Sequence, residues 1–314
     1  MSGVEAVVVD PSQSDRLVIK ELAEPVPLSG EALVRVKAIS LNRGEVRRSQ
    51  SAAAGWRPGW DFSGVVERAA EDGSGPKNGA RVVGMLNSGS WAQKVAASVN
   101  TIVELPENVS FSQAATVPVA GLTALHALYK GGFLLGQPVL ITGATGGTGD
   151  FACQLARLAG ANVVATVRSA NGEAFVRANG VSNVVVGDDP SEAGKFGPFR
   201  LIVDSVGGPN FSKVLAMLAS HGVCVIFGTT AGAEPVINAS RFYSTGSTTL
   251  YGMMIFQELQ REPASVGLKN LVGLISEGKL TPHIALEDSW RKIAEVARKL
   301  TDREFLGKAV LSVD

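Results

Sequence analysis

The sequence is short of cysteine, histidine and net charge, and each shortage excludes a class of protein. Its 314 residues include two cysteines, Cys153 and Cys224, too few for a disulfide framework or a cysteine-based zinc knuckle. Both lie in apolar stretches, FACQLA and GVCVIF, where buried core thiols are found. The three histidines, His126, His221 and His283, are far apart and none is paired with a cysteine. Lys plus Arg number 29 and so do Asp plus Glu, a formal net charge of zero. Such a chain has no general attraction for a phosphate backbone or an anionic membrane, so neither nucleic acid nor membrane is expected as a partner. No apolar run approaches the roughly 20 residues of a membrane helix. The opening MSGVEAVVVD lacks the basic segment of a secretory signal, and the chain reads as cytoplasmic.

What is present is a core and an excess of glycine. Hydrophobic residues make up 45% and charged residues 18%, enough to bury a sizeable interior. The first hundred residues read as strands: VEAVVVD, DRLVIKELA, EALVRVKAIS, FSGVVERAA, ARVVGML and WAQKVAA are β-branched and alternating, with turn residues between them. Short strands at such spacing predict a small barrel or sandwich. After about Ser110 the texture changes. FSQAATVPVAGLTALHALYK has helical spacing, with Ser112 as its expected N-cap. PVLITGA, NVVATV, NVVVG, LIVDSV and VCVIFG are then short and almost wholly apolar, and they alternate with helical stretches closed by glycine, such as DFACQLARLAG, EAFVRANG and SKVLAMLASHG. That pattern predicts a parallel sheet covered on both faces. The tail predicts two helices, in PASVGLKNLVGLISEGKL and WRKIAEVARKLTD, and a final strand in GKAVLSVD.

The most informative stretch is PVLITGATGGTGDFACQLARLAG. A strand runs into Gly143-Ala144-Thr145-Gly146-Gly147-Thr148-Gly149 and then directly into a helix. This is the dinucleotide fingerprint with Ala144 in place of its first glycine. Bare backbone at Gly146 lets a pyrophosphate approach, Gly149 lets helix and strand pack closely, and the helix N-terminus faces the anion. Ala144, Thr145, Gly146, Gly147 and Thr148 are the expected phosphate contacts. The second strand ends in Arg168-Ser169 rather than the Asp or Glu that holds a ribose 2′-hydroxyl. Arg168 and Ser169 thus favour the 2′-phosphate of NADPH, with NADH possible. Asp188 and Asp189, after the third strand, would repel that phosphate if they lay near it.

The order of a β-rich start, AGLTALHAL, ITGATGGTG, DSVGG and a terminal GKAVL resembles the medium-chain dehydrogenase/reductase superfamily. VRVKAISLNRGEVRR, PGWDFSGVV and LPENVSFSQAATVPVAGLTALHAL resemble its zinc-independent quinone oxidoreductase branch, and the likeness covers nearly the whole chain. The resemblance implies an α/β fold in two parts. A GroES-like β-rich substrate domain would span 1–112 and 253–314, and a Rossmann domain with a doubly wound parallel sheet would span 113–252. Zinc-dependent relatives need an early Cys and a His-Glu after the Pro-Gly turn, among about three ligands. Here Asn42 and Trp60-Asp61 stand at those places, so no metal is expected.

Without a metal, the resemblance implies hydride transfer from NADPH to a quinone or an α,β-unsaturated carbonyl, whose developing oxyanion hydrogen-bond donors stabilise. An enoyl reductase acting on acyl thioesters is an alternative, and so is a non-catalytic NADPH-binding sensor or structural protein. By the same resemblance, Asn42 and Tyr251 are the catalytic candidates. Asn42 and Thr123 would lie near the nicotinamide and its ribose, Phe227, Gly228 and Thr229 would close over the cofactor, Tyr251 and Met253 would line the nicotinamide, and Lys308 would reach the phosphates. Trp56, Trp60 and Met254 are candidates for an apolar pocket that takes a flat small-molecule substrate. The habit of the branch implies a homodimer paired through an edge strand, for which STTLYGMMIF is the candidate.

Overall fold

The computed structural model describes residues 3–314. Walking the chain, β1 (Gly3–Val9) and β2 (Leu17–Ala23) form an antiparallel hairpin. The long β3 (Glu31–Ser40) alternates as its sequence demands, with Val34 and Val36 buried and Arg35 and Lys37 exposed. The helix α1 (Arg43–Ser51) follows, then β4 (Asp61–Arg68), β5 (Arg81–Met85), β6 (Lys94–Ser98) and β7 (Ile102–Glu104). Two short helices, α2 (Phe111–Ala115) and α3 (Pro118–Tyr129), end this half.

Ser110, not Ser112, caps α2. Its hydroxyl accepts from the Gln113 amide at 3.1 Å and Gln113 reaches back to the Ser110 amide at 3.0 Å, a reciprocal box. The single expected helix is two, because Pro118 has no amide hydrogen to continue the first and starts the second.

The middle of the chain alternates strand and helix: β8 (Pro138–Ile141), α4 (Gly147–Leu158), β9 (Asn162–Val167), α5 (Ala170–Ala178), β10 (Asn183–Val186), β11 (Phe199–Asp204), α6 (Phe211–Leu215), β12 (Leu218–Ile226), α7 (Ala239–Ser244), β13 (Thr249–Gly252) and α8 (Ile255–Glu258). The six strands are all parallel, in the order β10-β9-β8-β11-β12-β13. This doubly wound order reverses between β8 and β11. SKVLAMLASHG departs from expectation: α6 stops at Leu215 and β12 begins at Leu218. His221, at φ 60°, lies within that strand and donates its amide to the Gly246 carbonyl at 3.0 Å. Both cysteines are buried, and burial pushes their thiols up.

The chain then returns to its opening half through α9 (Ala264–Ser276), β14 (Ile284–Ser289), α10 (Ile293–Asp302) and β15 (Lys308–Ser312). These complete a sheet in the order β14-β15-β3-β4-β5-β7, with β6 also on β3. Its core gathers Phe62, Trp91, Trp290 and a set of valines, all sealed from solvent.

By contact the chain forms two units, one of residues up to Leu122 with Leu259–Asp314 and one of Thr123–Glu258. The cuts fall later than the sequence-based 112 and 252. The reason is that the first turn of α3 belongs to the first unit: the Val119 amide donates to Asp61 at 3.0 Å and Gly121 sits against Leu271. No helix among the described residues is long and apolar enough to cross a membrane. Phe62→Ala leaves a void in the core of the first unit, and its expected cost is about 3–5 kcal/mol in urea unfolding. A loss below about 1 kcal/mol would show that the ring is not packed as described.

Candidate functional site

In the second unit every parallel strand delivers its carboxyl end to one edge of the sheet, and most of the residues expected at the site gather there. After β8, Gly143 turns at φ 61°, Gly146 is the N-cap of α4, and the Gly146 amide closes the turn on the Gly143 carbonyl at 3.0 Å. Two glycines here have different reasons. A Cβ on Gly149 would lie 2.3 Å from the Gly143 carbonyl oxygen, so only glycine lets the helix pack this close. A Cβ on Gly146 would meet only that oxygen, at 3.5 Å, which leaves an open backbone face at the start of α4. An open face joined to helical amides fits a pyrophosphate.

The Thr145 methyl lies beside the next turn, where a Cβ on Gly172 would meet it at 3.1 Å. Ala144 is buried, with its amide on the Thr166 carbonyl at 3.4 Å. Arg168 is exposed immediately after β9, and Ser169 caps α5 by accepting from the Gly172 amide at 3.3 Å. Asp189 is not a free negative charge: Lys213 pairs with it at 2.8 Å and Ser191 donates to it twice, which holds its carboxyl well below the usual range.

At the switch point, Thr142 donates to the buried Asp204 at 2.6 Å and the Gly207 amide donates to it at 2.8 Å, tying the ends of β8 and β11 together. Burial nevertheless pushes this carboxyl up. Phe227, Gly228 and Thr229 follow β12, with Gly228 against the Ser205 backbone. The buried Met253 donates its amide to Ile226 at 2.8 Å, while Met254 is 60% exposed. Thr123 is buried on α3. Tyr251 does not offer the free hydroxyl that a catalytic role would need. It donates to Glu258, whose other oxygen holds Lys130 at 2.7 Å, and that ammonium lies 4.5 Å from the Tyr251 ring centroid.

The remaining candidates meet in the first unit, in a sealed cluster of charges. Lys308 opens β15 with its ammonium buried. It donates to Asn42 Oδ1 at 2.7 Å and to the Leu41 carbonyl at 3.0 Å, and lies 3.5 Å from Asp61. The Asn42 amide nitrogen donates to Asp61 at 2.8 Å and to Glu45 at 3.1 Å, and the Asn42 backbone amide reaches the same Glu45 oxygen at 2.7 Å. Both amide hydrogens of Asn42 are engaged by carboxyl groups, which makes it a linchpin of the cluster, and within the first unit the Lys308 ammonium is turned toward Asn42 and Asp61.

Asp61 is well solvated by protein, with Asn42, Lys308 and the Val119 amide around it, whereas the second oxygen of Glu45 has no hydrogen-bond partner. Burial pushes Glu45 well above the ordinary 4.5, and the charge of Asp61 adds to this. Burial also raises Asp61 and lowers Lys308. Of the two carboxyls Glu45 is the easier to protonate, because Asp61 has the Lys308 ammonium, Asn42 and the Val119 amide beside it.

Of the apolar-pocket candidates, Trp60 packs on Gly44, whereas Trp56 lies partly buried against the core of the first unit, with the Arg48 guanidinium 5.0 Å above its ring. No group of three or more His, Cys, Asp or Glu side chains among the described residues could hold a metal ion.

A doubly wound sheet with a glycine phosphate turn, carried in a chain whose two ends build a separate β-rich unit, defines the medium-chain dehydrogenase/reductase class. Residues 28–107 match the family described as the alcohol dehydrogenase GroES-like domain, and residues 147–268 match the one described as zinc-binding dehydrogenase. A chloroplast envelope quinone oxidoreductase homolog of Arabidopsis thaliana is 30% identical over 310 residues, 91% of each chain. The solved quinone oxidoreductase of Coxiella burnetii is 26% identical and superposes with a TM-score of 0.84 over 100% of both chains. A mycobacterial protein solved with NADPH shares the fold, with a TM-score of 0.88 at 24% identity over 98% of this chain and 100% of its own. The chain belongs to the quinone oxidoreductase branch of the medium-chain dehydrogenase/reductase superfamily, a branch of oxidoreductases.

The two glycines should separate in experiment. Gly149→Ala overpacks the turn and is expected to cost about 1–3 kcal/mol in thermal or urea unfolding. Gly146→Ala should leave stability within about 0.5 kcal/mol while weakening dinucleotide binding in a fluorescence titration. Glu45 gives a pH test. Its raised folded pKa means that its contribution to stability is full below the ordinary 4.5 and is lost as pH rises through the folded value. Wild-type stability should therefore fall with rising pH more steeply than that of Glu45→Gln, which has no proton to lose. Parallel slopes in urea titrations across that range would place the proton elsewhere.

Proposed function

We propose that the protein reduces a quinone or an α,β-unsaturated carbonyl with hydride drawn from NADPH, without zinc. The names of its relatives support the reaction class. Bound at the carboxyl edge of the second unit, the cofactor would supply the hydride. The chain's own part is to hold the pyrophosphate at Gly146 and the start of α4 and to meet the 2′-phosphate with Arg168. The single observation that carries the choice of NADPH is Arg168, exposed at the end of β9 where an NAD-preferring chain has an acid, while the nearby Asp189 is engaged by Lys213.

Zinc independence is supported by the charge cluster. Asp61 already has a cation, the buried ammonium of Lys308, and Asn42 stands where a zinc-dependent relative has a thiolate. An ammonium next to the would-be ligands repels a dication.

The test is NADPH and NADH oxidation against a panel of quinones and enones, with wild type and Arg168→Ala side by side. The wild type should prefer NADPH, and the variant should raise KM for NADPH roughly tenfold to a hundredfold while leaving NADH unchanged. An equal effect on both cofactors would remove the 2′-phosphate role, and NADPH binding without turnover of any acceptor would remove the reductase.

A further inference from the structure

A second feature of the first unit has no part in the chemistry above. The segment from Trp56 to Trp60 turns at Gly59, φ 108°; Trp60 packs on Gly44, and a Cβ on Gly59 would run into Trp91 and Ser90. Arg57, between the two tryptophans, lines an open-mouthed hollow of about 310 Å³ together with Pro25, Leu86, Ser88, Gly89, Val95 and Ala96. The size is at the low end of small-molecule sites. Its chemistry is lopsided, with apolar carbon on the walls and Arg57 as the one charged lining residue.

That charge is uncompensated. The Arg57 Nε is sealed from solvent and has no hydrogen-bond partner. The one hydrogen bond of the guanidinium runs from Nη2 to the Gly89 carbonyl, at 3.5 Å, the outer limit of such a bond. None of the ion pairs among the described residues includes Arg57. Burial alone pulls its pKa below the ordinary arginine value, and no carboxylate acts against that pull. The other polar wall residue, Ser88, turns its hydroxyl hydrogen onto the Arg57 carbonyl and so pins the backbone that carries the guanidinium. A partly buried arginine without a counter-ion is an unfavourable arrangement that an anion relieves.

We propose that this cavity binds a small aliphatic monocarboxylate, with the terminal nitrogens of Arg57 taking the carboxylate and the apolar walls taking the chain. One guanidinium matches one negative charge, and its paired N–H groups suit the two oxygens of a carboxylate. A phosphate dianion would need further charged donors, and the lining side chains supply none, because Arg57 is alone and the Ser88 hydroxyl hydrogen is engaged. The apolar walls add affinity only for a ligand with a hydrocarbon body. The site lies entirely within the first unit and does not depend on the redox reading.

The experiment is calorimetric titration of the full chain with hexanoate, hexan-1-ol and inorganic phosphate at constant ionic strength. The same three titrations are run on Arg57→Gln and on Ala96→Phe, which fills the cavity and keeps the charge. Hexanoate should bind the wild type saturably and at least tenfold more tightly than either hexan-1-ol or phosphate. Arg57→Gln should lose that tenfold preference over the alcohol, and Ala96→Phe should lose hexanoate altogether. The proposal is overturned by phosphate binding as well as hexanoate, by alcohol and acid binding alike, or by hexanoate affinity unchanged in Arg57→Gln. The wild-type selectivity decides the matter even if a variant fails to fold.

Discussion

One ammonium group organises the first unit. Lys308 belongs to β15, Asn42 to the corner between β3 and α1, and Asp61 to the start of β4, and the buried Lys308 and Asp61 meet through the half-buried Asn42. A charge in such a place is tolerable only when its partners are fixed, so the geometry of all three elements is set together. Asn42 is well suited to the junction because its amide is two-sided. The oxygen answers a cation and the nitrogen answers two carboxyl groups, and no other arrangement of O and N satisfies all three neighbours. Val119 adds a backbone amide to Asp61, which extends the same constraint to the first turn of α3.

The second unit solves a different problem with simpler means. Its cofactor turn needs no buried charge, only backbone that can come close: Gly149 lets α4 press on the turn, and Gly146 leaves the amides uncovered. Where the unit does bury an acid, at Asp204, the group is used to lace β8 to β11 through Thr142 and the Gly207 amide. Tyr251, Glu258 and Lys130 form a similar local tie near the far edge. Polar groups inside this unit thus serve mostly to fix strand ends, which is where a dinucleotide site of this fold has to be rigid.

The phosphate turn was legible because its determinants are contiguous: a strand, six or so small residues and a helix follow one another, and backbone demands alone select the glycines. The parallel sheet was legible for a related reason, since strands buried on both faces cannot hide their composition. The charge cluster was only half legible. Glu45 three residues after Asn42 is a readable capping pattern, but the meeting of Lys308 with Asn42 spans 266 residues and depends on sheet order. Local pattern assigns a terminal lysine to the surface by default, and only tertiary pairing reverses that. Ser112 was misread for a smaller reason, since two serines near a helix start compete and the Gln113 side chain decides in favour of Ser110.

The position of Lys308 near the end of the chain has a consequence for synthesis. The parallel-sheet unit, Thr123–Glu258, is continuous in sequence, so every strand it needs has left the ribosome before the closing segment of the chain is made. The first unit begins earlier but lacks its last two strands, and the one buried cation among its described residues, until residue 308 emerges. Until then Asp61 and Glu45 face each other without a positive charge between them, and β3 lacks its partner β15. During translation the unit that starts first is therefore the one that finishes last, and the stretch of β3 at Ala38, Ile39 and Ser40, whose side away from β4 only β15 covers, is an edge in need of protection while the chain waits.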